Sequence, residues 1–177
     1  MKVRMTTDNQ TIDVATAESE VSLKSQREGL LANLAMLVNS ISREINLQTE
    51  ANDDMLHLTA SEINVLSYID VHPGTLPRDA ALDVGLQRSN MSVVLRGLSA
   101  KGLIDTIPDK DDGRKIHLYS TNEASRNLEQ RRALWSAILF KTDCEHECLR
   151  NSLQTLTRIN VSLLEMRRKR SFESKAK

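Results

Sequence analysis

Between Leu103 and Thr121 the chain reads LIDTIPDKDDGRKIHLYST, two short strand-like stretches held apart by a charged loop with one glycine. In the second stretch Ile116, Leu118 and Ser120 alternate with His117, Tyr119 and Thr121, the two-residue period of a strand. The first stretch, LIDTIP, reads as the preceding strand and is ended by Pro108. Everything else with a clear period is helical, so this hairpin sets the architecture: mainly α, with one small antiparallel β-hairpin.

The helices ahead of the hairpin carry their own punctuation. From Ser22 to about Leu47, apolar residues at Leu23, Leu30, Leu34, Leu37, Val38, Ile41 and Ile45 describe a long amphipathic helix. LTASEINVLSYID begins with Thr59 as N-cap and Glu62 three residues on, a capping box, with Ile63, Leu66 and Ile69 on its buried side. His72-Pro73-Gly74 stops that helix, and Thr75 with Pro77 and Arg78 opens a short third one that closes at Gly85. A fourth runs from about Arg88 to Lys101 and is stopped by Gly102. After the hairpin, Asn122 is the expected N-cap of a helix reaching Phe140. Asp143 is the expected cap of the last helix, with Glu145 and Glu147 in its first turn. That helix extends to about Lys169, with Leu149, Leu153, Leu156, Ile159, Leu163 and Met166 on one face.

A short helix, a glycine turn, a second helix and a charged hairpin make a winged helix-turn-helix. Ala80, Ala81, Leu82 and Leu86 let the first helix of the pair approach the second, whose inner face is Met91, Val94, Leu95 and Leu98. The outer face then carries Arg88, Ser89, Ser92, Val93 and Arg96, with Asn90 near its margin. Arginine pairs with guanine and asparagine with adenine in a major groove, so this face suits duplex DNA.

Here the chain resembles the MarR family of bacterial transcription regulators. The residues that carry the resemblance are Leu58–Ile69, Pro73–Ile104 and the loop DKDDGRKIHLYST. The family's wing runs Asp-Pro-x-Asp-Gly-Arg into a strand ending Leu-Thr, and Asp109, Asp112, Gly113, Arg114 and Thr121 match it. The resemblance implies that Arg114 enters a minor groove and that Asp112 helps hold it; Lys115 beside it is a further candidate DNA-binding residue. It also implies a two-fold homodimer built from the terminal helices, and a small-molecule effector bound between those helices and the winged section. Val93 and Arg96 stand where the family often has arginine and aspartate, and Gln87 is a weak cap. These departures bear on base preference rather than on fold.

Charge distribution agrees with recognition by a few placed groups. Net charge is zero over 177 residues; residues 1–58 hold 5 bases against 9 acids, 59–121 hold 7 against 8, and 122–177 hold 12 against 7. A protein that coats nucleic acid without specificity would be more basic. Two Phe, two Tyr and one Trp are too few for a stacking platform that binds single strands. No window of about 18 apolar residues suggests a membrane span. The start lacks the apolar middle of a secretory signal, and two cysteines make no disulfide framework, so a cytoplasmic setting is expected.

Cys144 and Cys148 flank Glu145-His146-Glu147. On a helix His146 points away from the two thiols, so the three do not close a metal site, and no metal or cofactor is expected. Cys144, placed in the first helical turn, is a candidate redox thiol with Cys148, against the plainer reading of two ordinary thiols. His57, His72 and His117 read as loop or surface histidines, and the run Arg167–Arg170 as a solvated helix end. No nucleophile motif or phosphate-cradling glycine loop is present, so catalysis is not expected.

The expected organisation is a disordered segment at 1–21, a dimerisation helix and linker at 22–57, a winged helix-turn-helix at 58–121, and dimerisation helices with a basic tail at 122–177. The expected function is a ligand-responsive repressor, homodimeric on a palindromic double-stranded operator. The alternative is a winged-helix protein-interaction module without DNA binding.

Overall fold

Thr59 fixes the start of the winged section by both halves of a capping box. Its hydroxyl accepts from the Glu62 N–H at 3.2 Å, and its own N–H donates to Glu62 Oε2 at 2.8 Å. Two orphan donors are satisfied at once. In this computed structural model, which describes residues 8–52 and 54–175, the elements are α1 (Asp8–Glu50), α2 (Ala60–Val71), α3 (Pro77–Val84), α4 (Arg88–Ala100), β1 (Ile104–Pro108), β2 (Ile116–Ser120), α5 (Asn122–Phe140) and α6 (His146–Lys175). The chain divides into two compact units, residues 1–48 and 49–177.

The first unit is the body of α1. The helix begins at Asp8, ahead of the expected Ser22; residues 1–7 lie outside the described ones. Its apolar stripe is largely exposed, including Leu23, Leu30, Leu37, Val38 and Ile41.

In the second unit, α2, α3, α4 and the hairpin enclose one core. Val65, Leu66 and Ile69 of α2 meet Ala80 and Ala81 of α3 and Met91, Val94 and Leu98 of α4. Leu103, Ile104 and Leu118 close it from the hairpin, and Ala124 and Leu128 from α5. Ile63, expected inside, is only half-buried, because Val65 takes the inward position. Gly85 ends α3 in the left-handed region at φ 76°, where a side chain would be strained. That turn lets α4 leave at an angle to α3.

The strands pair antiparallel from Ile104↔Ser120 to Pro108↔Ile116. A further bridge, Thr75↔Leu118, stitches the hairpin to the turn before α3. Gly74 N–H donates to the Leu118 carbonyl at 2.8 Å, and Leu118 N–H to the Thr75 carbonyl at 2.9 Å. The wing is thereby tied by backbone to the helix-turn-helix.

Two helix starts differ from expectation. Thr121, not Asn122, caps α5, its hydroxyl accepting from the Ala124 N–H at 3.2 Å; two adjacent good caps competed, and Thr121 already has extended backbone. α6 starts at His146, so Asp143 does not cap it, and Glu145 and Cys144 precede it rather than lie in its first turn. The outer side of α6 is apolar and exposed at Leu149, Leu153, Leu156, Leu163 and Met166.

Candidate nucleic-acid interface

The interface is built on α4. Its inner side is held by Met91, Val94 and Leu98, which leaves Arg88, Ser89, Asn90, Ser92, Val93 and Arg96 all exposed. The Ser92 hydroxyl donates back to the Arg88 carbonyl at 3.1 Å, which leaves its oxygen lone pairs as acceptors. Gln87 makes no side-chain cap hydrogen bond to the first turn of α4. Beside this end lies a hollow of about 210 Å3 between α3 and α4, with Arg78 and Arg88 exposed around it and Met91 buried within.

The far end of α4 is clamped to the start of α2. Lys101 Nζ donates to both carboxylate oxygens of Glu62 at 2.8 Å and to the His57 carbonyl at 2.9 Å. Burial pushes the Glu62 carboxyl up, but the Lys101 and Thr59 hydrogen bonds outweigh it and hold the group below its ordinary value. A Cβ on Gly97 would sit 2.6 Å from Glu62 Oε1, so this glycine lets α4 pass close to the buried pair.

The hairpin loop is organised by Asp109. Its Oδ1 accepts from the N–H groups of Asp111 at 3.0 Å and Asp112 at 2.9 Å. Its Oδ2 meets His117 Nε2 at 2.7 Å, and His117 Nδ1 meets the Gly74 carbonyl at 2.7 Å. The His117 bond, then the two backbone N–H groups, hold the Asp109 carboxyl down at about 2. The same bond to Asp109, then the Gly74 carbonyl, raises His117 above its ordinary value.

Asp112 supports the tip, but through the backbone. Its Oδ1 accepts from the Arg114 N–H at 3.2 Å and its Oδ2 pairs with Lys115 Nζ at 3.3 Å. Arg114 and Lys115 are exposed at the loop's end. The opening pattern of a densely charged loop thus resolves: the acids shape the turn, and the bases project from it.

Three groups outside the sequence-derived set matter to this geometry. His117, expected at the surface, is a half-buried link between wing and helix-turn-helix. Asp70 Oδ1 accepts from the Ser120 and Ser125 hydroxyls at 3.0 and 3.1 Å, joining α2 to β2 and α5. Asp83, near the end of α3, accepts from the Tyr68 hydroxyl at 2.7 Å and from Arg168 Nε at 2.9 Å, while Arg167 donates to its backbone carbonyl. The run at Arg167–Arg170 is therefore not wholly a solvated end: its first two residues cap α3 from α6. The alternation His117-Leu118-Tyr119 with Asp109 at the opposite strand end was the available signal for the first of these.

Cys144 and Cys148 are both free and exposed, one ahead of α6 and one within it. His146 Nε2 meets Arg150 at 3.0 Å. Among the described residues no group of three or more His, Cys, Asp or Glu side chains is arranged to hold a metal ion, and no helix is long and apolar enough to cross a membrane.

Comparison places this geometry among known proteins. Residues 57–115 match the MarR family. FabT of Streptococcus pneumoniae, solved in complex with DNA, superposes with TM-score 0.60 at 17% identity over 76% of this chain and 97% of that one. PcaV of Streptomyces coelicolor, a transcriptional regulator solved with its natural ligand, gives 0.54 at 25% identity over 70% and 88%. MarR gives 0.64 at 20% identity over 74% and 90%. These likenesses establish the winged-helix fold. No curated protein sequence matches.

Proposed function

We propose, from the premise that residues 57–115 are a MarR-family winged domain, that the chain is a transcriptional regulator that binds double-stranded DNA. What carries the reading is the exposed face of α4 beside a braced, base-tipped wing. Arg88, Ser89, Asn90, Ser92 and Arg96 meet base edges and phosphates in a major groove. Arg114 reaches the adjacent minor groove and Lys115 the backbone; one arginine in a narrow groove gains more than its single charge suggests. FabT, whose structure contains DNA, is similar in fold and supports the assignment.

The protein acts as a cytoplasmic homodimer and a repressor. Support comes from the apolar stripes left exposed on α1 and on α6, which a monomer would present to water. A two-fold dimer carries two recognition helices, so its operator is palindromic with half-sites about one turn apart. A small-molecule effector shifts that spacing by binding one arrangement better than the other. PcaV, solved with its natural ligand, supports a response of this kind. In the second unit, the cavity lined by Met55, Leu56 and Arg131 has about 20 Å3, room for the centre of one water. An organic effector there requires the pocket to open.

The second reading, a protein-interaction module, draws on Val93, which is 63% exposed in the middle of the α4 face. A gel shift with the DNA upstream of the protein's own gene, at moderate fixed salt, separates the two. A discrete shifted band that resists non-specific competitor supports the regulator; no shift supports the module.

A further inference from the structure

We infer that His117 is a positioning residue for DNA binding: its ring, protonated on both nitrogens, is a strut that holds the arginine-tipped wing against the turn between α2 and α3. The inference rests on the DNA-binding reading above and adds a pH-dependent control of the same interface.

Both partners of the ring only accept. Nδ1 faces the Gly74 carbonyl and Nε2 faces the Asp109 carboxylate, each at 2.7 Å. A neutral imidazole has one N–H and one lone pair, so it would turn a lone pair onto one of these oxygens. Only the imidazolium satisfies both. A proton on Asp109 Oδ2 would give a neutral pair instead, but the Asp111 and Asp112 N–H groups on Oδ1, together with the His117 bond, favour the carboxylate.

The consequence falls on the loop rather than on the strands. The strand nearest the turn stays fixed by the Gly74–Leu118 and Leu118–Thr75 backbone bonds whatever the ring's charge. Beyond Ile116 the path to Arg114 runs through Asp109, whose carboxylate ties the ring to the loop backbone. Losing one ring proton breaks one of the two contacts; the Asp109 N–H bond to the Lys115 carbonyl still closes the loop, which is then tied to the turn only through the strand backbone.

The other charged groups around the ring do not replace this link. Lys115, on the loop, opposes the ring's charge, but it is itself paired with Asp112. Across the strand ladder His117 faces Ile107, and Asp105 faces Tyr119. Tyr119 shares a face with His117 and closes over Gly74, where an added Cβ would lie 3.1 Å from its hydroxyl. On the turn, His72 stacks on Tyr68 and bonds its carbonyl, engaged with α2 instead of the wing.

His117 is raised in the fold, so the strut is intact below its ordinary value of 6.5 and is lost as pH rises through the raised value. Asp109 is depressed, so the acid limit is reached only as pH falls through about 2. DNA affinity therefore has an alkaline step that phosphate contacts alone would not produce.

The test has two arms on the full chain. Histidine side-chain NMR follows His117 from about pH 5 to about pH 9, the range in which a raised imidazole titrates. The expected result is both nitrogens protonated below pH 6.5, a midpoint above 6.5, and a lower midpoint in Asp109→Asn, which keeps the acceptor but removes the charge. The second arm uses a duplex that the wild type enriches from a random pool. Its affinity at constant salt falls about tenfold as pH rises through the same midpoint, the scale of one charge-assisted hydrogen bond. His117→Gln binds more weakly and lacks the step. A midpoint at or below 6.5, or an identical pH profile in His117→Gln, overturns the inference. If no duplex is enriched, the DNA reading fails and the functional half of the inference with it, while the ring titration decides the strut separately.

Discussion

Replacing Lys101 with methionine removes the cation that joins the end of α4 to the start of α2, while keeping most of the packing of its stem. Three hydrogen bonds from Nζ disappear, and Glu62, whose side chain is 8% exposed, keeps the Thr59 N–H as its strongest remaining partner. Orphaning one member of a fully buried pair costs about 3–5 kcal/mol. The Lys101 side chain is 30% exposed, so water recovers part of that, and the expected loss is about 2 kcal/mol at neutral pH. The sign with pH is fixed by Glu62. Its carboxyl is held below its ordinary 4.5 in the wild type, so the stabilisation is present above 4.5 and fades as pH falls through the lowered value. In Lys101→Met, burial acts with less opposition and the carboxyl rises. The gap between the two proteins therefore narrows under acid conditions. Urea unfolding at matched protein concentration, repeated down the pH scale, reads this directly. Equal stabilities at neutral pH, or a gap that does not change on acidification, would refute the reasoning.

Arg114→Ala should weaken duplex binding by about 1–3 kcal/mol at fixed salt without altering the oligomeric state; unchanged affinity in a salt-controlled shift assay contradicts its groove role. Leu153→Glu places a charge on the exposed apolar face of α6, at a residue 68% exposed, and should give monomers by light scattering. A dimer of wild-type strength would remove α6 from the interface. Asp83→Ala frees Arg168 and the Tyr68 hydroxyl. It should cost about 2 kcal/mol, the scale of hydrogen bonds to a charged group. Tyr68, now raised by burial and then by Asp83, should titrate closer to its ordinary value, followed by absorbance; an unshifted Tyr68 would show that burial alone raises it.

What could be read in the sequence was whatever is decided within one turn of chain. The Thr59–Glu62 box spans three residues, Pro77 and Gly85 bound α3, and the alternation in IHLYST marks β2, so all appear as expected. The exposed side of α4 was legible because its apolar side is periodic. The contacts that position the interface are not local. Lys101 reaches Glu62 across 39 positions, His117 reaches Gly74 across 43, and Arg168 reaches Asp83 across 85. No periodicity encodes such pairs, so Lys101 passed as a helix end, His117 as a surface histidine and Arg167–Arg168 as a solvated tail. The shift to Thr121 arose where two neighbouring residues were both good caps, a choice that packing makes rather than propensity, while α6 begins at His146, three residues after the expected cap Asp143.

Selecting bound fragments from a pool of random duplex DNA with the full chain tests the central claim, that two copies present two recognition helices and two arginine-tipped wings to one double helix. The expected result is an enriched sequence with dyad symmetry, its half-sites about 10 base pairs apart from centre to centre. No enrichment, or a single asymmetric motif bound by one chain, would contradict it.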